Sequence, residues 1–200
     1  AEFDVAAAVG LMATQAVDAV YMSTSPTQTS QISGGAAQLG IVPLTFMAAP
    51  AYNEAFVAEG SPIAALFTSG AFYTAAWGDP YEADTPGHAA MRATWSEALG
   101  QTSGSAYVVA GWSSQYHLKG VLDAALKGKD LTRAGIRRAA ANVNVDSEGM
   151  MPIRTLGQDK AETSTSITTP DGTVASGSRL VKSNYSGPTA AAYDWSGPCS

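Results

Sequence analysis

Apolar and polar residues alternate in blocks over the first third of the chain, and each block has the length of one helix or one strand. An Ala-rich segment from Val5 to Ala16 predicts a helix, and the short apolar run from Asp18 to Met22 predicts a buried strand. A polar segment from Thr27 to Leu39 predicts a second helix, which Gly40 ends as a C-terminal cap.

The same alternation continues towards the middle of the chain. Val42 to Met47 predicts a second strand, Ala51 to Glu59 a short helix, and Ala64 to Phe72 a third strand. Helices that alternate with strands in this way indicate an α/β fold, with a parallel sheet and flanking helices connected by right-handed crossovers.

The composition changes after the third predicted strand. The segment Trp77–Gly87, WGDPYEADTPG, is rich in Pro, Gly and acidic residues and predicts a connector. His88 to Leu99 predicts a helix, and Tyr107 to Val143 predicts two more. The last part is rich in Ser, Thr and Gly, and its segments 163–168 and 177–182 predict strands or extended chain.

Composition and motifs exclude several classes of function. The net charge of −6 argues against a nucleic-acid surface, which requires clustered Lys and Arg. No apolar run reaches the length of a membrane span, and no nucleotide-binding loop or nucleophile elbow occurs. The two histidines, His88 and His117, lack metal-site spacing, so we predict no metal and no cofactor.

The candidate binding residues follow the predicted strands. Ser23, Thr24 and Ser25 come directly after the first strand, where hydroxyls and helix N–H groups suit a carboxylate or another anion, although ordinary N-capping explains them equally well. Tyr52 lies in the turn after the second strand, and Tyr73 follows the third. Ligands of open α/β sheets bind at the carboxyl ends of strands, so the sequence predicts a binding site there.

Two aromatic residues add a second candidate surface. Trp112 and Tyr116 are four residues apart, so they share one face of a helix, which we expect to begin near Gly111. Aromatic rings at the mouth of a helix can form the wall of a ligand site. The alternative is ordinary core packing, and the sequence leaves both open.

The order of these segments resembles a known family. DAVYMSTSPTQTSQISGGAAQLG followed by VPLTFM is similar to the second half of type I periplasmic solute-binding proteins, the Leu/Ile/Val-binding receptor family of ABC importers. Three later segments, YEADTPGHAAMRATWSEALG, AYVVAGWSSQYHLKGVLDAAL and LTRAGIRRAAANV, resemble the next three helices of that family. The resemblance covers roughly residues 5 to 150. It rests on the order of the segments and on their residue types, not on an invariant motif.

The resemblance implies a fold of two lobes that close on a small molecule. Residues 1–76 would then belong to lobe two, 77–146 to the helical portion of lobe one, and 147–200 to the return into lobe two. It also implies a partner permease in the membrane, a periplasmic or extracellular location, and a lipoprotein anchor in an N-terminal part outside this sequence.

The family pattern also places ligand contacts. Ser23–Ser25 would supply polar contacts, Pro50 and Tyr52 lie in the turn where amino-acid binders carry an acid, and Trp112 matches a ring that walls the cleft. The turn has no acid before Glu54, so the implied ligand is a small amino acid or a small aromatic or carboxylic solute.

We therefore predict a non-catalytic, solute-binding component of an ABC importer. Two alternatives remain open at this stage. One is a ligand-sensing domain of a signalling or regulatory protein, and the other is an α/β enzyme whose catalytic residues lie outside this sequence.

Overall fold

A computed structural model describes residues 4–141, 143–155 and 163–193. The helices are α1 (Val5–Gln15), α2 (Pro26–Gln38), α3 (Ala64–Phe67), α4 (Pro86–Leu99), α5 (Ala106–Lys127), α6 (Arg133–Ala140) and α7 (Pro188–Ala192). The strands are β1 (Ala19–Met22), β2 (Leu44–Ala48), β3 (Phe72–Ala76), β4 (Asn144–Val145), β5 (Arg154–Thr155), β6 (Thr165–Pro170) and β7 (Ser178–Tyr185).

Five of these strands form one sheet in the order β1-β2-β3-β6-β7. The first three strands are parallel, whereas β6 pairs antiparallel with β3 and with β7. The predicted α/β class with helices beside a sheet is confirmed. The sheet is mixed, because the extended segments near the C-terminus form a hairpin that joins the edge of the parallel part.

One face of the sheet carries the larger core. Met22, Met47 and Phe72 on the strands pack in one buried cluster with residues of α1 and α2. On the opposite face, Tyr21 is 67% exposed and Phe46 is 40% exposed. The prediction that the first strand is buried is therefore wrong for the described residues, since β1 lies at the sheet edge with only one face covered.

The third strand lies later in the chain than the sequence predicts. The apolar run that begins at Ala64 forms the short helix α3, because Ile63, Leu66 and Phe67 have the spacing that brings side chains to one helix face. Gly70 then turns the chain with a φ of 88°, and the strand starts at Phe72. In so short an apolar run, neither the periodicity of the apolar residues nor the length of the run distinguishes a helix from a strand.

The predicted helix between Ala51 and Glu59 is also wrong. Two short 3₁₀ turns, Ala49–Ala51 and Glu54–Phe56, occupy this region instead. The Asn53 side chain accepts a hydrogen bond from the Ala55 N–H at 2.9 Å, and such a local side-chain bond competes with a continuous helix.

Helices α4, α5 and α6 form a second part, connected to the sheet by the segment 77–85. The buried cluster of this second part contains Tyr81, Met91, Val109 and Met150. The helix ends follow the sequence signals, since Gly100 ends α4 in the left-handed conformation and Thr132 caps the start of α6.

Candidate functional site

The carboxyl ends of the three parallel strands lie side by side at one edge of the sheet. Met22 in β1 is level with Met47 in β2, and Ala48 in β2 is level with Ala75 in β3. The segments that leave these ends therefore share one edge, and ligands of open α/β sheets bind at such an edge.

The segment after β1 begins helix α2 with a complete capping box. The Ser25 hydroxyl accepts a hydrogen bond from the Gln28 N–H at 3.3 Å, and the Gln28 side chain accepts one from the Ser25 N–H at 3.1 Å. Thr24 shares a 2.7 Å hydrogen bond with Thr29, and Ser23 is exposed. Capping thus occupies the hydroxyl of Ser25, although Ser25 is exposed like Ser23.

The segment after β2 is the 3₁₀ turn that contains Pro50, followed by Tyr52. Pro50 is exposed, whereas Tyr52 is buried and packs edge-on against Phe56 at 5.8 Å between ring centroids. The Tyr52 hydroxyl donates to the Gly177 carbonyl oxygen at 2.5 Å, and burial raises the pKa of this phenol. Tyr52 therefore fastens the turn to the loop between β6 and β7.

Tyr73 does not follow the third strand as predicted. It is the second residue of β3, at the amino end, and its ring stacks on Phe46 at 5.7 Å on the uncovered face of the sheet. The expectation failed because the strand was placed too early, so a residue near its start was taken for one past its end. Its proposed contact with ligand stays a prediction.

Trp112 and Tyr116 share a helix face, as their spacing predicts, but the helix begins earlier than expected. Helix α5 starts at Ala106, so Gly111 lies within the helix rather than at its mouth. Both rings pack against the cluster of Tyr81, Met91, Val109 and Met150. The Tyr116 hydroxyl donates to Glu148 at 3.2 Å, and partial burial raises the pKa of the phenol.

The residue that follows β3 is Trp77, which the sequence analysis assigned only to a connector. Its ring meets the ring of Tyr107 edge-on at 5.5 Å, and the two side chains are 47% and 50% exposed. An exposed aromatic pair at a sheet edge is a surface that an apolar or aromatic ligand can cover. Correct placement of β3 would have identified Trp77.

The segment after Trp77 is held by polar contacts on two sides. Asp79 is buried, and its carboxylate accepts hydrogen bonds from Ser166 at 2.6 Å and from Ser183 at 2.8 Å. Arg92 of α4 donates to the carbonyl oxygens of Tyr81 and Ala83 at 2.8 and 2.9 Å. These contacts join the segment 77–85, which we name the crossing segment, to the β6–β7 hairpin and to the helices.

His88 connects the same crossing segment to α4. The side chain is fully buried, its Nδ1 lies 2.8 Å from the Thr85 hydroxyl, and its Nε2 lies 3.3 Å from the Asp79 carbonyl oxygen. Burial lowers the pKa of this imidazole. His88 is therefore a buried histidine in the first turn of α4.

A cavity of about 420 Å³ lies where the sheet, helix α5 and the start of β6 meet; we name it the junction cavity. Its lining includes Trp77, Ser113, Ser114, His117, Met151 and Thr165. A narrower cavity on the other side of Trp77 is lined by Tyr52, Thr74 and Tyr107, among others. Of the residues predicted as ligand contacts, Tyr52 alone borders either of these two cavities.

The described residues contain neither a metal-binding cluster nor a membrane-spanning helix. Within 4–141, 143–155 and 163–193, no group of three or more His, Cys, Asp or Glu side chains is arranged to hold a metal ion. Over these same ranges, no helix has both the length and the apolar character to cross a membrane.

The family model for periplasmic binding proteins matches residues 2–187, and the chain belongs to this family. No curated protein sequence matches this chain. Among solved structures, a fatty acid ABC transporter substrate-binding protein from Thermomonospora curvata is 25% identical, with a TM-score of 0.83 over 95% of this chain. The recognition of a type I periplasmic solute-binding protein is thereby confirmed.

Two more distant structures share the fold. A branched-chain amino acid ABC transporter protein from Thermus thermophilus with bound valine is 15% identical, with a TM-score of 0.64 over 94% of this chain. A leucine-binding protein from Thermotoga maritima is 19% identical, with a TM-score of 0.58 over 90%. The chain spans 49%, 50% and 48% of the three proteins, about half of each.

Proposed function

We propose that the protein is the solute-binding component of an ABC importer and works without catalysis. The observation that carries this proposal is an open carboxyl edge of the sheet, with the exposed pair Trp77 and Tyr107, in a chain of the periplasmic binding protein family. The similar structures are substrate-binding and amino-acid-binding proteins, and a membrane permease is the partner that such a role requires.

We propose a ligand that joins a carboxylate to an apolar body. The relative at 25% identity is described as a fatty acid binder, and aromatic rings at the sheet edge suit an apolar chain. The turn after β2 carries no acid before Glu54, which disfavours a site built around an ammonium group. A small amino acid or a small aromatic acid also carries a carboxylate, but it offers a smaller apolar body to the aromatic rings.

The proposed mechanism is closure of two lobes about the crossing segments. Residues 1–76 and 147–200 would belong to one lobe and 77–146 to the other, with residues 156–162 and 194–200 outside the described structure. A ligand favours the closed form only by binding it more tightly than the open form. The segment 77–85 is one crossing, and we propose the segment after Ser147 as the return.

We propose the contacts of the ligand from the sequence and from the edge geometry together. The first set comprises Ser23, Thr24, Ser25, Pro50, Tyr52, Tyr73, Trp112 and Tyr116. Trp77 and Tyr107 are added because they lie exposed at the carboxyl end of β3 and the start of α5. We also propose a location outside the cytoplasm, with a lipid anchor in the full-length protein.

Calorimetric titration of the full-length protein with dodecanoate, valine and benzoate tests the function. Saturable one-to-one binding of at least one of them is expected, and no binding of any would contradict the proposal. Trp112→Ala tests the site, with Trp95→Ala as its control, since Trp95 packs against the same cluster and donates to the Ser103 carbonyl oxygen at 3.1 Å. If Trp112 contacts the ligand, binding should weaken in Trp112→Ala and stay unchanged in Trp95→Ala.

A further inference from the structure

We infer that the junction cavity binds the carboxylate of the solute through the face of α5 that carries Ser113, Ser114 and His117. The inference rests on the proposed function and adds the atoms that recognise the head group. The cavity volume of about 420 Å³ is within the range of small-molecule sites. Its walls are of two kinds, apolar on the side of Trp77 and Met151 and polar on the side of α5.

The polar side offers hydrogen-bond donors from Ser113, Ser114 and His117. Among the described residues that line the cavity, none is Asp or Glu. Ser113 and His117 are four residues apart in α5, so both point to the same side of the helix. An imidazole has at least one N–H in either protonation state, so His117 can donate to a carboxylate over a wide pH range.

The serine hydroxyls can turn to a ligand at little cost. At present Ser113 donates to the Ala110 carbonyl oxygen at 3.2 Å, and Ser114 donates to that of Gly111 at 2.8 Å. Both carbonyls lie inside α5 and also accept the regular helix bonds, so neither is left unpaired when a hydroxyl rotates away. A charged acceptor forms a stronger hydrogen bond than a carbonyl that is already bonded.

The opposite wall also carries hydroxyls, those of Ser164 and Thr165. Thr165 lies across the cavity, but its hydroxyl donates to the Ala76 carbonyl oxygen at 2.8 Å. This bond fixes the start of β6 against the end of β3. The Trp77 ring next to it offers an apolar surface for the body of the solute, and the head group is directed to α5.

Titration of the full-length protein with two matched pairs of compounds tests the assignment. The pairs are dodecanoate with dodecan-1-ol and valine with valinol. In each pair the first compound has a carboxylate where the second has a primary alcohol. We expect His117→Ala to weaken binding of the carboxylate member about tenfold and to leave the alcohol unchanged, because one charge-assisted hydrogen bond is lost. His117→Asn, which keeps an N–H donor, should recover most of the affinity.

Lys119→Ala is the control, since it removes a positive charge from the same helix, and that side chain pairs with Asp123 in solvent. Equal weakening by Lys119→Ala and His117→Ala would indicate a general effect of charge and overturn the assignment. Unchanged carboxylate binding in His117→Ala would also overturn it while the receptor function stands. Failure of the unmodified protein to bind either carboxylate would refute the head-group class and this site together.

Discussion

The sheet and the helical part of this protein are stabilised in different ways. In the sheet part, Phe67 lies between Phe56 and Phe72, with ring centroids 4.6 and 4.5 Å away, in an apolar core. In the helical part, the smaller buried cluster is built around Met91 and Met150. The sheet core contains three methionines as well, so the two parts differ in the row of contacting rings and in the size of the cluster, not in the use of methionine.

The position of the polar contacts gives the comparison a functional meaning. Asp79, within the segment that joins the two parts, accepts hydrogen bonds from hydroxyls of β6 and β7, whereas His88 and Arg92 contact main-chain carbonyl oxygens of that segment. These contacts hold the segment on the side of the hairpin and on the side of the helices. The predictions below test whether the parts differ as this picture requires, from the largest effect to the smallest.

Phe67→Ala should lower the free energy of unfolding by about 3–5 kcal/mol, because it removes a fully buried ring and leaves a cavity in the aromatic core. Urea denaturation measures the change. Leu11→Ala is the control, since that side chain is 60% exposed and should matter by less than about 0.5 kcal/mol. Equal losses in both variants would show that the aromatic core is not the frame of the sheet part.

Met91→Ala should cost about 2–3 kcal/mol, less than Phe67→Ala, since neighbouring flexible side chains such as Met150 can move into the space. The same urea titration gives the value. A loss as large as that of Phe67→Ala would remove the proposed difference between the ring-lined core of the sheet part and the smaller cluster of the helical part.

Asp79→Ala should cost about 2 kcal/mol, because the buried Ser166 hydroxyl loses its acceptor and the exposed Ser183 hydroxyl loses a hydrogen bond. Asp123→Ala removes an exposed carboxylate and serves as the control. Hydrogen exchange should show faster opening of β6 and β7 in the first variant. Unchanged protection there would mean that Asp79 does not hold the hairpin.

His88 should make stability depend on pH. Burial lowers the pKa of the folded imidazole, so the unfolded chain binds the proton more readily and acid favours unfolding. The contribution is present above a pH of about 6.5, the ordinary histidine pKa, and is lost as the pH falls below it. Urea denaturation at pH 7.5 and 5.5 should show a fall of up to about 1 kcal/mol that His88→Gln reduces. An equal fall in His88→Gln would assign the effect to other groups.

Much of the local structure was predictable from the sequence because its causes are local. The capping box at Ser25, the left-handed Gly40 and Gly100, and the cap at Thr132 all depend on residues a few positions apart. The parallel order of the first strands also followed from their alternation with helices. The family was recognisable from the same order of segments, and the family match confirms it.

The candidate site was harder to predict because it depends on where strands end. A misplacement of β3 by a few residues put Tyr73 at the edge and left Trp77 in a connector. The start of α5 at Ala106 similarly moved Trp112 from a helix mouth to the flank of a packed cluster. Apolar runs of this length do not distinguish helix from strand by period alone.

The sequence by itself determined the class of fold, the caps of α2, α4 and α6 and the family, since short-range spacing and capping encode them. Tertiary structure alone decided the long-range contacts: Tyr52 with Gly177, Asp79 with Ser166, and the pairing of β3 with β6. No local pattern encodes a hydrogen bond between residues 87 positions apart. Such a bond forms because burial makes an unpaired polar group costly, and the fold decides which partner lies within reach.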